Sequence, residues 1–217
     1  MTADGAPRVR AYGESRRFRG LEKFAIRLRL AAAVAGFERQ RRALAREDLS
    51  VLELGCGYHG DNLAYLQARY PRASFLGVDL RVNPELSRGP VRLVAGSIDA
   101  WQPPGAFDLV LSLALAEHLV DLPRHFELIA DALTTDGIAL LTSPQPQAHA
   151  VLWMLSVIGV FDKQEIADHK LYLTRAGLQA LADAAALEVR DYRSFSLGMN
   201  QWVSLQRKQA PKPESRG

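Results

Sequence analysis

From Ser50 onward the chain alternates short apolar runs with longer amphipathic stretches, and that alternation constrains the fold more than any other feature. Residues 51–54, 74–79, 91–95, 107–112 and 137–142 are rich in Val, Leu, Ile or Phe and bounded by Gly, Pro, Asp or Ser. They read as buried strands. Between them, 61–70 and 122–133 space their apolar residues at helical intervals. Strand–helix alternation predicts an α/β fold, a parallel sheet with helices on both faces. The third crossover departs from the pattern. There Trp101-Gln102-Pro103-Pro104-Gly105 interrupts any helix and leaves room for a short turn.

The far end of the sequence changes character. Thr174 is placed to cap a helix through about Ala185, and 187–195 reads as a strand. A turn at Gly198-Met199-Asn200 then leads into a second strand, 202–206. Two strands joined so tightly must be antiparallel, so the parallel sheet is expected to finish in a hairpin. With 217 residues, the chain suits one domain over 1–208, with residues 1–48 as an N-terminal helical cap. Residues 144–172 stand out as a lid or substrate segment. Residues 209–217, polar with two prolines, read as a disordered tail.

Composition excludes some classes. The longest mostly apolar run, 150–161, falls short of the roughly 20 residues a membrane span needs. The first ten residues lack the hydrophobic stretch of a secretory signal, and a cytoplasmic location is expected. Cys56 is the only cysteine, so no internal disulfide or cysteine-based zinc cluster can form. Residues 1–47 carry 12 Lys+Arg against 5 Asp+Glu, whereas the remainder is net acidic. Such a basic arm suits either the solvated face of a packed helix or a nucleic-acid or acidic-lipid surface. Interleaved Phe24, Ile26, Leu28, Leu30, Val34 and Phe37 favour the packed helix.

The most informative stretch is Val51-Leu52-Glu53-Leu54-Gly55-Cys56-Gly57-Tyr58-His59-Gly60-Asp61, a buried strand running through a glycine turn into a helix. Glycines there admit positive φ and let a ligand approach without a Cβ in the way. Its spacing also matches the dinucleotide fingerprint, with Asp79 ending the next strand. Two features favour S-adenosylmethionine over NAD. Asp61 at the helix start would repel a pyrophosphate, and no Tyr-x-x-x-Lys pair occurs.

These residues resemble the class I S-adenosylmethionine-dependent methyltransferases, over about 50–206. The glycine stretch is similar to their first motif, and Phe75-Leu76-Gly77-Val78-Asp79 to their second strand with its terminal acid. Residues 107–112 followed by Ala116-Glu117-His118-Leu119 resemble their fourth strand and the turn after it, and 133–142 their passage into the fifth. Residues 169–195 resemble the final helix and strand of the small-molecule and glycan-modifying branches. The resemblance implies a Rossmann-like seven-stranded sheet, order 3-2-1-4-5-7-6, with strand 7 antiparallel. It also implies roles. Glu53 and the Gly55 and Gly57 backbone would surround the methionine portion, Asp79 would bind the ribose, and Leu80 would pack on the adenine. Ser97 and Ile98 would lie at the adenine edge. Two departures are visible: the glycine turn is one residue longer than usual, and Ser97 stands where the family often has an acid. Asp99 is the candidate substitute.

A base is needed only when the attacking atom carries a proton of high pKa. His118 is the first candidate, because it follows the fourth strand where the ligand crevice of an open α/β sheet lies. Equally, the Glu117-His118 pair can simply shape the cofactor pocket. His169 in Asp168-His169-Lys170 is the second candidate, with a solvent-facing turn as its plainer reading; His59, His125 and His149 have no special context. No acid–His set has metal-ligand spacing, so no metal is expected. Trp153 and Met154 are read either as substrate contacts or as core. The expected partner is a small-molecule acceptor, with a homodimer left open. Nucleic acid and membrane are not expected as partners. An RNA or protein methyltransferase, and a binding protein without catalysis, are the competing readings.

Overall fold

The apolar runs assemble into one sheet in the computed structural model, which describes residues 20–145, 173–195 and 198–209. In chain order the elements are α1 (Gly20–Leu44), β1 (Ser50–Leu54), α2 (Asp61–Arg69), β2 (Ser74–Asp79) and β3 (Val91–Ala95). There follow β4 (Phe107–Leu113), α3 (Leu122–Ala132), β5 (Leu133–Pro144), α4 (Arg175–Ala184), β6 (Leu187–Phe195) and β7 (Asn200–Arg207). The strand order is β3-β2-β1-β4-β5-β7-β6. All pairs from β3 to β5 are parallel, and β7 runs antiparallel to both β5 and β6. The order and the reversed strand match the expectation.

Both faces of the sheet are buried, as continuous apolar strands require. On one face Leu52, Leu54, Val110, Ala139 and Leu141 meet Phe126 and Ile129 of α3 and Leu178 and Ala182 of α4. On the other, Val51, Leu109, Leu111 and Leu140 meet Phe37 of α1 and Leu63 and Leu66 of α2. Asp121 caps α3 by accepting the Arg124 N–H, and Thr174 caps α4 by accepting the Gly177 N–H.

The N-terminal helix is part of this core. A β-carbon at Gly36 would run into the Leu140 side chain, so only glycine lets α1 lie this close to β5. Gln40, buried beside it, donates its amide to the Asp136 carbonyl at 2.7 Å. Phe37 stacks on Tyr70 with ring centroids 3.8 Å apart. At the opposite end of the strands from the glycine turn, Asp108 is buried. It pairs with Arg46 and accepts the Ser50 N–H and hydroxyl at 2.8 and 2.9 Å.

Three boundaries differ from expectation. β5 begins at Leu133 rather than 137, because an irregular register brings Leu133 opposite Phe107 before regular pairing starts at Ile138. Helix α3 therefore stops at Ala132. β7 starts at Asn200, which pairs with both Pro144 and Phe195, so the turn donates a residue to the strand. Between β3 and β4 there is no helix, only a turn in which Ala100 and Trp101 donate to the Ser97 carbonyl. The expected lid or substrate segment lies, from 146 to 172, outside the described residues. So do His169, His149, Trp153 and Met154, residues 1–19 of the cap, and the tail from 210.

Candidate functional site

The glycine turn leaves β1 at its carboxyl end, the end where open α/β sheets bind ligands. Gly55, Gly57 and Gly60 all have positive φ, but they serve different needs. A β-carbon on Gly55 would sit 2.8 Å from Leu115, which packs there from the turn after β4, and one on Gly60 would sit 2.8 Å from Leu93. At Gly57 it would meet nothing within 4 Å. The first and last glycines serve packing, and the middle one faces open space.

Backbone hydrogen bonds weld this turn to its neighbours. Gly55 and Cys56 both donate to the Val78 carbonyl, at 2.8 and 3.1 Å. Asn83 donates to the Tyr58 carbonyl at 2.8 Å, so the loop after β2 is tied to the glycine turn. Gly96, after β3, donates to the Asp79 carbonyl at 2.8 Å.

Asp79 sits at the centre of these connections. Its Oδ2 accepts the Gly57 N–H at 2.8 Å, while Oδ1 makes no hydrogen bond among the described residues. Leu80, next in the chain, is 68% exposed. Ser97 and Asp99 are exposed and Ile98 is buried in the core below them. Glu53 is fully buried on β1, and its Oε1 accepts the Asn62 amide at 2.7 Å. Asn62 was not singled out from sequence. An Asn in the first turn of a helix whose N-cap is a glycine was the available signal.

Cys56 is buried between Glu53 and Asp79. Burial and the two carboxylates push its thiol well above the ordinary cysteine range, so it stays protonated as a small packing residue.

The turn after β4 adds the other candidates. Ala114 takes a positive φ and donates its N–H to the Thr142 carbonyl and hydroxyl, both at 3.0 Å. A single 3₁₀ turn, Ala116–His118, then buries Glu117 and leaves His118 exposed at the rim. His125 proves to have a context after all. It is wholly buried on α3, and its Nε2 lies 2.9 Å from the Ser112 hydroxyl of β4. Burial lowers its pKa to about 4, so it is neutral at physiological pH. The structure thus gathers Glu53, Gly55, Gly57, Asp79 and Leu80 at one end of the sheet, with His118 on an adjoining turn.

Among the described residues no group of three or more His, Cys, Asp or Glu could hold a metal ion, and no helix is long and apolar enough to cross a membrane. The residues gathered here fit S-adenosylmethionine. Gly57 opens a cradle that a β-carbon would fill, and a carboxylate and an exposed leucine stand in sequence beside it.

A doubly wound sheet with this reversed last strand and a glycine turn of this kind defines a class I methyltransferase fold. A family profile described as a methyltransferase domain matches residues 17–192, and the chain belongs to that family, whose cofactor is S-adenosylmethionine. Among curated proteins it is 29% identical over 147 residues to the trans-aconitate 2-methyltransferase of Deinococcus radiodurans. That match covers 65% of this chain and 56% of the relative, so the chain matches little more than half of that relative's length. Among solved structures, a TehB-like S-adenosylmethionine-dependent methyltransferase from Corynebacterium glutamicum superposes with a TM-score of 0.57 at 20% identity. It covers 86% of this chain and 97% of the other. PKMT2 from Rickettsia typhi, in complex with AdoHcy, superposes with a TM-score of 0.58 at 15% identity, covering 76% and 50%. At these identities the two structures speak for the fold.

Proposed function

We propose that the chain transfers the methyl group of S-adenosylmethionine to a hydroxyl or amine of a small molecule, a sugar or secondary metabolite, in the cytoplasm. The observation that supports this most is the junction of Asp79 with the glycine turn. One carboxylate oxygen holds the Gly57 N–H, the other makes no hydrogen bond among the described residues, and Gly57 faces open space. A vicinal ribose diol supplies two donors at a separation one carboxylate can accept, so Asp79 is the ribose ligand. Leu80 offers the apolar surface for adenine, with Ser97 and Ile98 at its edge. Glu53 and the backbone of Gly55 and Gly57 hold the methionine portion.

S-Adenosylmethionine supplies a methyl carbon already activated by its sulfonium. The protein's share is to align the nucleophile and exclude water, an orientation effect worth ~7–11 kcal/mol. His118, exposed at the rim, takes the proton when the attacking atom needs a base, with His169 the second candidate.

The test has two parts. Calorimetry is expected to show S-adenosylmethionine and adenosylhomocysteine binding with no comparable NAD binding; the reverse would overturn the cofactor assignment. Labelled cofactor is then incubated with small-molecule, RNA and protein fractions. The relative named trans-aconitate 2-methyltransferase puts small carboxylic acids in the panel. Label is expected in a small molecule. Label in RNA or protein would move the acceptor class, and binding without transfer would leave a non-catalytic adenosyl-binding protein.

A further inference from the structure

We propose that Asn62 is a positioning residue for the amino-acid end of the cofactor, acting through the Glu53 carboxylate. This rests on the assignment of Glu53 to the methionine portion made above. Glu53 stands one residue before the end of β1, opposite Gly77 of β2 and Leu111 of β4, and is fully buried. Asn62 is the second residue of α2, and its amide donates to Glu53 Oε1 at 2.7 Å. The helix rises directly off the glycine turn, because its N-cap is Gly60 with φ of 59° and no side chain. One residue type therefore links the turn's exit to the strand's end.

Helix propensity does not explain an Asn at this position, since Ala or Leu would serve the helix better. Its hydrogen bond does. A buried carboxylate needs a donor if it is to stay charged. Asn62 is neutral, so it orients the charge without cancelling it. The charge reaches the glycine turn, where Glu53 is, after burial, the largest cause of the raised Cys56 pKa. An oriented carboxylate beneath a turn open at Gly57 suits the ammonium of an amino acid, and the nucleoside has no use for it.

That distinction gives a test which needs no knowledge of the acceptor. Adenosylhomocysteine carries the amino-acid end and methylthioadenosine lacks it. Calorimetry on the full chain with each ligand is expected to show Asn62→Leu weakening adenosylhomocysteine by about 10-fold or more, with methylthioadenosine unchanged. Asn62→Asp keeps the size of the side chain and sets a second carboxylate against Glu53, and should act in the same direction. In a Glu53→Gln background the Asn62 substitutions should add little, because the group they act through has lost its charge. Equal weakening of both ligands, or of neither, overturns the proposal while leaving the cofactor assignment standing. Failure of the unsubstituted chain to bind adenosylhomocysteine overturns both.

Discussion

The two halves of the sheet are secured by different chemistry. At the carboxyl ends of β1, β2 and β3 the loops are joined largely by backbone groups: Gly55, Cys56, Asn83 and Gly96 donate to carbonyls, with Asp79 and the Asn62–Glu53 pair as side chains that take part. At the β5–β7–β6 side backbone bonds, such as that from the Gln145 N–H to the Met199 carbonyl, are joined by a network of side chains. Gln201, fully buried, donates to the Ser143 hydroxyl at 3.0 Å and the Leu173 carbonyl at 2.6 Å, and accepts from Tyr192 at 3.0 Å. Gln145 donates to the Ser194 hydroxyl and the Asn200 carbonyl, at 2.8 and 3.2 Å. Backbone bonding depends on turn geometry and so on glycines, whereas a side-chain network depends on the identity of every member. The first half carries the proposed cofactor site.

The contrast predicts separable failures. The largest expected effect falls between the halves, at His118. His118→Ala should lower turnover by about 10²–10⁴-fold, as loss of a general base does. Labelled methyl transfer would measure it, with adenosylhomocysteine affinity unchanged. Unaltered turnover would remove His118 as the base.

Next comes acid sensitivity on the α3 side. His125 has a folded pKa of about 4 against an ordinary value of 6.5. The unfolded chain therefore takes up the proton first. Stability that is complete above pH 6.5 drains away as pH falls towards 4, by about 3 kcal/mol in all. Denaturant unfolding at several pH values should show that slope, and His125→Leu should remove this part of it.

Gln201→Leu leaves the Ser143 and Tyr192 hydroxyls and the Leu173 carbonyl without their partner. It should cost about 2–3 kcal/mol of stability while leaving adenosylhomocysteine affinity intact. A matching loss of affinity would erase the contrast between the halves. The mirror image is Asp79→Ala, which should weaken adenosylhomocysteine by about 10- to 150-fold. Its effect on the unfolding midpoint should be smaller than that of Gln201→Leu.

The same division explains what the sequence makes legible. Buried strands announce themselves as short apolar runs, and the glycine turn and Asp79 are local motifs, so the backbone-joined half can be read directly. The tight turn near Gly198 likewise betrays the hairpin. The start of β5 is hidden, because Thr134, Thr135 and Asp136 carry no strand pattern and join only through an irregular register with β4. Hidden too are Asn62, Gln201 and the Ser112–His125 pair. Each is an unremarkable polar residue in its own neighbourhood, and its partner is fixed by tertiary packing across 9 to 58 positions.

The close approach of Gly36 to Leu140 has a bearing on the order of events during synthesis. The helix that carries Gly36 precedes every described strand, yet its seat against β5 does not exist until more than a hundred further residues have been made. At ~5–20 residues per second that interval is on the order of 5–20 s. Until then Phe37 and Ala33 can pack only on the earlier strands, and contacts of such long sequence separation are slow to form. The helix at Gly20–Leu44 is thus made before the sheet it covers, and its seat is complete only once β5 is in place.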